Sequence, residues 1–328
     1  MEPFNYSRAT EPGAAINQVS ADPHATFLAG GTTLVDLMKL GVETPDALVD
    51  VNHLPLAQIE AREQGVRIGA TVRNTELAYH DEIRKRYPVL SEALLSGATG
   101  QLRNMATVGG NLLQRTRCYY FRDVHSPCNK RQPGSGCSAI DGFNRIHAVL
   151  GTSEKCIATH PSDMCVALAA MEQVMIEVQG TGGTRRIGFN NFYVPYGDDP
   201  ARENVLQHGD LITAIELPAD PVLARSHYLK VRDRASYEFA LSSAAVALDV
   251  HDGSIRHARV ALGGVATKPW RSDEAEHALV GKPANNDTFK AAATAALAQA
   301  KPQKYNAFKI ELAKRTIVRA LQTVAAMA

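Results

Sequence analysis

Four of the chain's five cysteines, Cys118, Cys128, Cys137 and Cys156, lie close together, with 9, 8 and 18 residues between successive members. Their surroundings, RTRCYYFRDVHSPCNKRQPGSGCSAIDGF and then KCIATHPSD, are polar and rich in turns. An apolar core uses cysteine singly, as a small hydrophobe. Repeated cysteines in a polar loop instead suggest thiolates gathered on a shared centre. Disulfides belong to small secreted domains with little core, and this chain of 328 residues is not small. The C-x₂₋₄-C knuckle of zinc sites is absent, and so is the C-x₂-C-x₂-C run of bacterial ferredoxins. Spacing alone therefore leaves iron–sulfur and zinc both open. Arg115, Arg117, Lys130 and Arg131 flank the set and are expected to offset its negative charge. Cys165, in the apolar run DMCVALAAM, reads as a core thiol, and His125 and His160 as hydrogen-bonding loop histidines.

Two glycine turns are the other candidates for chemistry. Ala29-Gly30-Gly31-Thr32-Thr33 stands between a strand-like and a helix-like run. Glycine there allows close backbone approach and positive φ, and the N–H groups of a helix start attract phosphate oxygens. Thr107-Val108-Gly109-Gly110-Asn111 repeats the pattern, with an amide in place of a hydroxyl. Two such turns are able to grip the two ends of a dinucleotide. Neither fits G-x-G-x-x-G, so a dinucleotide site here follows a plan other than the Rossmann fold. Either turn alone is an ordinary tight connection. Asp163 reads as a helix cap before DMCVALAAM, Lys230 as a solvated strand lysine, and Tyr237 as either a ring stacked near a cofactor or a core aromatic.

The elements that must position these residues follow from periodicity. TFLAGG, ALVDV and VRIGATV have the apolar, β-branched character of strands, and TTLVDLMKLG is helical with Gly41 closing it. PVLSEALLSGATGQLRN reads as one helix with Leu90, Ala93, Leu94 and Ala98 on a face. The cysteine loop spans about residues 115–157. A helix over SDMCVALAAM, strands over QVMIEVQG and LITAIELP, and a break at PADPVLA follow. Beyond it come the strands SSAAVALDV and IRHARVALGGVA around the turn HDGS. The helices DTFKAAATAALAQA and FKIELAKRTIVRALQTVAAM then close the chain.

The net charge of +1 favours neither nucleic acid nor an anionic membrane surface. No stretch approaches the roughly 20 apolar residues of a membrane span. The N-terminus, MEPFNYSRATEPGAA, lacks a basic region followed by an apolar run, so no signal peptide is expected. No nucleophile–base pair or paired carboxylates stand out.

AGGTTLVDLMK, TVGGNLL and LKVRDRASYEFALSSAAVAL, in this order, resemble the FAD-binding medium subunit of the xanthine dehydrogenase and carbon monoxide dehydrogenase family of molybdenum hydroxylases. The phrases GQLRNMATVGGNLLQRTRCYYF, PCNKRQPGSGC and CIATHPSDM make it most similar to the [4Fe-4S]-containing flavoprotein subunit of periplasmic aldehyde oxidoreductases. The resemblance implies an α+β fold: a two-lobed FAD-binding domain over 1–218, with lobes about 1–56 and 57–218. It also implies a C-terminal domain over 222–328 of a three-stranded sheet and a helix bundle. It places FAD against Ala29, Gly30, Gly31, Thr32, Thr33 and Leu34, then Thr107, Gly109, Gly110 and Asn111, with Ser162 and Asp163 beyond the insertion. Leu217 and Lys230 would border the isoalloxazine. Cys118, Cys128, Cys137 and Cys156 would hold a [4Fe-4S] cluster.

The implied role is electron transfer within a heterotrimer. A large molybdopterin subunit oxidises an aldehyde, a small subunit carries two [2Fe-2S] clusters, and FAD in this subunit passes electrons to an external acceptor. With no nicotinamide fingerprint, oxygen, a quinone or a protein is the expected acceptor. The expected location is cytoplasmic, or periplasmic where a partner carries a twin-arginine signal. The alternatives are a subunit of a 4-hydroxybenzoyl-CoA reductase-like enzyme, and a non-redox module stabilised by zinc.

Overall fold

A computed structural model describes residues 1–327. The N-terminal lobe is built from β1 (Asn5–Arg8), α1 (Pro12–Ala21), β2 (Ala25–Leu28), α2 (Leu34–Lys39) and β3 (Ala47–Asp50). Helical crossovers make its sheet parallel, in the order β1-β3-β2. Ala15, Ile16 and Val19 on one side of α1 pack on Val49 and Val51.

The second lobe carries an antiparallel sheet in the order β4-β5-β8-β6-β7. Its strands are β4 (Ile59–Arg62), β5 (Gly65–Gly69), β6 (Met175–Gly180), β7 (Gly183–Gly188) and β8 (Leu211–Pro218). Its helices α3 (Asn74–Tyr79), α4 (Asp81–Arg86), α5 (Pro88–Ser96), α6 (Gly100–Met105) and α7 (Val108–Leu112) lie between β5 and the insertion, and α10 (Asp163–Ala169) follows it. The insertion itself holds only two single-turn helices, α8 (Tyr119–Arg122) and α9 (Ser138–Asp141).

The single helix expected over 88–104 is two. It breaks at Gly97-Ala98-Thr99, where Ala98 takes φ +49° and the Thr99 hydroxyl caps α6 by accepting the Leu102 N–H at 3.3 Å. Capping oxygens compete with helix continuation. The break leaves the last carbonyls of α5 free for other donors, and the site uses one of them.

The C-terminal sheet is an antiparallel meander of β9 (Ser226–Val231), β10 (Ser242–His251) and β11 (Ser254–Gly263), with the two-residue β12 (Trp270–Arg271) on its edge. Three helices pack on it: α11 (Asp273–Leu279), α12 (Asn286–Ala296) and α13 (Phe308–Ala325). The sequence reading expected two. The missed helix, α11, carries a start signal: Ser272 accepts the Ala275 N–H, and acidic residues fill the first turn.

β10 is buried on both faces, which explains its run of small residues. Ala244, Val246 and Leu248 meet the helices, while Ala245 and Ala247 face the core of the second lobe. A strand alternates its side chains, and alanine on the inner face lets α5 and α10 approach closely. No helix among the described residues is long and apolar enough to cross a membrane.

The C-terminal domain also grips the insertion. Lys309 of α13 is fully buried, and its ammonium donates to the carbonyls of Ile146, His147 and Gly264. Burial and then the charge of Arg145 pull its pKa down to about 7. Asn306 donates to the carbonyls of His147 and Ala148. Lys309→Met leaves three carbonyls without their donor and should cost about 2–4 kcal/mol of stability. A fall in the denaturant midpoint of the variant, measured against wild type, checks this.

Candidate cofactor site and thiol cluster

The two glycine loops meet. A Cβ added to Gly30 would lie 2.0 Å from the Met105 carbonyl oxygen and 3.0 Å from the Ala106 Cα, so only glycine fits between β2 and the segment before α7. Gly31 takes φ +70°, which turns the chain into α2. Ala29 precedes this turn. Thr32, Thr33 and Leu34 follow it half-buried, and Thr33 stands at the start of α2 without making a capping bond.

The second loop differs from the expectation of a turn like the first. Thr107 accepts the Gly110 N–H at 3.2 Å and winds Val108–Leu112 into one helical turn. Gly109 sits where a Cβ would lie 3.0 Å from that of Ala70, at the end of β5.

Two residues that sequence reading passed over brace the junction. Asn52 donates to the Ala29 carbonyl at 2.9 Å, and Arg73 donates to the Met105 carbonyl at 2.5 Å and to Asn52 Oδ1 at 3.0 Å. Their one local signal is position: Asn52 lies just past β3, and Arg73 stands immediately before α3.

A chain of buried hydrogen bonds runs from the second loop to the C-terminal sheet. The Ser162 hydroxyl donates to Asn111 Oδ1 at 2.7 Å. It also accepts the Cys165 N–H at 3.1 Å, so Ser162, rather than Asp163, caps α10. Asp163 is thereby free to bind elsewhere. Its carboxylate accepts from the Tyr228 hydroxyl at 2.6 Å and from the Lys230 ammonium at 2.7 Å. Lys230 is not a solvated strand lysine. Its side chain is 4% exposed, and it also donates to the Ser96 carbonyl freed by the break after α5. Burial, then the Asp163 charge, pushes the Tyr228 phenol well above its ordinary range.

Leu217 lies apart from this chain, built into β8 opposite Val66 as part of the second-lobe core. Tyr237 is neither core nor bound to these groups: it is exposed at φ +53° beneath the Arg234 guanidinium.

Within the insertion, Cys118, Cys128, Cys137 and Cys156 line one cavity as free thiols. Cys118 and Cys137 precede the single turns α8 and α9, so the first N–H groups of each turn face a sulfur. Cys128 and Cys137 pair across a loop whose Gly134 and Gly136 adopt positive φ. Burial, followed by the thiols' effect on one another, pushes Cys118 up to about 12; burial pushes Cys156 up to about 11. Among the described residues, no three His, Cys, Asp or Glu side chains close on a single ion. The thiols stand around a shared space instead.

The flanking cations do less for the thiols than expected, because carboxylates claim most of them. Arg117 and Arg122 pair with Asp36, and Arg115 with Glu43 and Glu203. Arg131 donates to the carbonyls of Tyr120, Phe121, Val124 and Ser126, which clamps the loop. Lys130 is buried between the Pro200 carbonyl, Glu203 and the Tyr196 ring, and it is the flanking cation whose charge favours the Cys156 thiolate.

His125 is exposed. His160 lies edge-on to Tyr193, with Nε2 sealed and unpartnered. Cys165 is a core thiol hydrogen-bonded with Tyr193. His147, which no spacing singles out, reaches the Cys118 sulfur with Nε2 at 3.1 Å.

Residues 2–220 match the model of the FAD binding domain in molybdopterin dehydrogenase, and residues 227–324 that of the CO dehydrogenase flavoprotein C-terminal domain. The chain is 52% identical to the aldehyde oxidoreductase FAD-binding subunit PaoB of Escherichia coli (strain K12), covering 100% of both chains. It is 28% identical to the glyceraldehyde dehydrogenase medium chain of Sulfolobus acidocaldarius, covering 91% of this chain and 89% of that one. Among solved structures it superposes on a chain of the carbon monoxide dehydrogenase of Hydrogenophaga pseudoflava with a TM-score of 0.77 at 25% identity. That match covers 99% of this chain and 98% of the other.

Gly30→Ala should force the two loops apart and cost about 1–3 kcal/mol. Gly100→Ala, whose Cβ meets nothing within 4 Å, should be neutral or slightly stabilising; paired denaturant curves check both. Burial pulls His147 and His160 down to about 4, below the ordinary value near 6.5. The unfolded chain therefore binds protons first as pH falls. Stability present above pH 6.5 should fall toward pH 4.5 by up to about 1.4 kcal/mol per pH unit for each histidine. His160→Gln should remove part of that slope in a pH series of urea midpoints.

Proposed function

The chain belongs to the family of FAD-binding subunits of molybdopterin dehydrogenases, an oxidoreductase family, and we propose that it is the FAD- and [4Fe-4S]-containing electron-transfer subunit of a heterotrimeric molybdenum aldehyde oxidoreductase. The observation that carries this reading is the convergence of four free thiols from a polar insertion on one cavity. The full-length likeness to an aldehyde oxidoreductase subunit supports the substrate class.

The thiol set fits an iron–sulfur cluster: four cysteine sulfurs lining one cavity, with backbone N–H groups facing three of them. The reading places a dinucleotide at the two glycine loops, which Gly30 allows to meet because a side chain there would collide with the Met105 carbonyl. Bound FAD and a [4Fe-4S] cluster supply electron acceptance and release between a two-electron substrate and one-electron carriers.

The protein's part is placement. Ala29, Gly30, Gly31, Thr32, Thr33 and Leu34 would present backbone N–H and hydroxyl donors to the pyrophosphate. The second loop, Thr107, Gly109, Gly110 and Asn111, would contact the flavin, its Gly109, Gly110 and Asn111 N–H groups being taken by Ala70 and Thr107. Ser162 fixes the Asn111 amide. Asp163 and Lys230, locked to each other, would fix charge beside the flavin. Of the positions proposed at the ring, Leu217 is the least supported, because its side chain serves the core. The partners are a large molybdopterin subunit and a small subunit with two [2Fe-2S] clusters, and electrons leave to an external acceptor other than a nicotinamide. A twin-arginine signal on a partner would take the folded complex to the periplasm.

Anaerobic purification with co-expressed partners tests the assignment. The chain should carry about four iron and about four sulfide together with flavin absorbance. Cys118→Ser should lower the iron and leave the flavin. Zinc with neither iron nor flavin would sink the reading. Stopped-flow reoxidation tests the acceptor separately, and fast oxidation by NAD would overturn that part alone.

A further inference from the structure

His147 sits in the insertion but is held by the C-terminal domain. Its carbonyl accepts from Lys309 at 3.0 Å and from Asn306 at 3.3 Å, and its N–H donates to the Asn144 carbonyl at 3.0 Å. Asn144 is itself fixed: its amide donates to the carbonyls of Ala139 and Ile140, and its oxygen accepts the Tyr305 N–H. The imidazole is 1% exposed. Nε2 lies 3.1 Å from the Cys118 sulfur, and Nδ1 has no partner. Among the described residues this is the one side-chain hydrogen bond to any of the four clustered sulfurs; Cys137 and Cys156 receive backbone N–H groups alone.

A metal-bound thiolate only accepts hydrogen bonds. A neutral imidazole facing it must carry its single proton on Nε2, because the other tautomer would set a lone pair against the sulfur and leave an N–H buried without a partner. A donor to a ligating sulfur draws charge from it. It therefore stabilises the more negative, reduced cluster more than the oxidised one.

We propose that His147 donates its Nε2–H to the Cys118 sulfur and raises the reduction potential of the cluster bound there. This rests on the [4Fe-4S] reading above. His147 is a positioning residue, not a ligand, because four thiolates already complete the coordination. Reduction adds one electron to the cluster and moves no proton: the imidazole keeps its Nε2–H throughout. Lys309 and Asn306 hold the backbone from which the ring reaches the sulfur, so a helix of another domain sets the geometry of this bond.

The test is a dithionite titration of the purified full chain, with the cluster followed by electron paramagnetic resonance and iron and sulfide measured on every sample. His147→Phe keeps a ring and removes the donor. It should lower the equilibrium constant for one-electron reduction on the order of tenfold, a shift of about 59 mV to more negative potential. His147→Gln, whose amide reaches the position of Nε2, should return the potential toward wild type. An unchanged potential in His147→Phe, or equal shifts in Phe and Gln, would overturn the proposal. If the Phe variant holds no iron, His147→Asn takes its place: its amide stops short of the sulfur and should shift the potential where Gln does not. Equal potentials in Asn and Gln then overturn the proposal. Wild-type protein without iron and sulfide would overturn the cluster reading and this proposal with it, whereas a loaded cluster at unshifted potential removes this proposal alone.

Discussion

The buried ion pair between Asp163 and Lys230 organises the molecule around it. Exposed ion pairs contribute about 0–1 kcal/mol, but removing one partner of a buried pair costs about 3–5 kcal/mol, because the remaining charge is stranded away from water. This pair therefore tolerates little displacement. It fixes α10 of the second lobe against β9 of the C-terminal sheet, and Tyr228 bonds the other carboxylate oxygen from the same strand. The break after α5 is part of the same arrangement. Ser96 ends that helix with its carbonyl directed at both Lys230 and Arg232, and Gly97 lies where a Cβ would approach the Asp163 carboxylate to 3.3 Å. An uninterrupted helix would have used that carbonyl internally.

The insertion poses the opposite problem: a long polar segment with little to bury. Its apolar cluster is small, built on Phe121, Ala139, Ile157, Ala158 and the cysteines themselves. Order comes from donors that span the loop: the Arg131 guanidinium on four carbonyls, Lys130 between Glu203 and Tyr196, and the ammonium of Lys309. Although burial pushes the Glu203 carboxyl up, Arg115 and Lys130 hold it below its ordinary value, so it is a charged anchor. The thiols lean the other way, since burial favours their neutral form. The proposed metal binding at these thiols would require their deprotonation, so their burial would make that binding proton-linked.

Local sequence carried the elements and the cysteine set, because strand alternation, glycine turns and a polar cysteine loop are short-range signals. It carried α12 and α13 and the strands of the C-terminal meander. It did not carry the break at Ala98, which depends on a capping threonine competing with an otherwise good helical face. Nor did it carry the partners of the charged residues. Arg117 and Asp36, or Lys230 and Asp163, are far apart in sequence and meet only through the fold, so each lysine or arginine looked solvated or free to balance the thiols. His147 was invisible for the same reason. Nothing in NRIHAVL marks a histidine whose ring meets a sulfur 29 residues away in the chain.

The C-terminal domain reaches both candidate cofactor sites from one body. β9 supplies Tyr228 and Lys230 to the chain of bonds ending at Asn111 and the second glycine loop. The start of α13 and the segment before it supply Asn306 and Lys309 to the backbone of His147, and through it to Cys118. Both connections are rooted in the same sheet-and-helix core, where Ala244, Val246 and Leu248 of β10 pack against Ala313, Ile317 and Leu321 of α13. Close-packed cores transmit displacement rather than absorb it. The Lys309 and Asn306 anchors of His147 and the Tyr228 and Lys230 anchors of Asp163 therefore belong to one packed body. The two sites share one mechanical reference although no apolar cluster contains both, and the insertion is positioned as much by the end of the chain as by the lobe into which it is spliced.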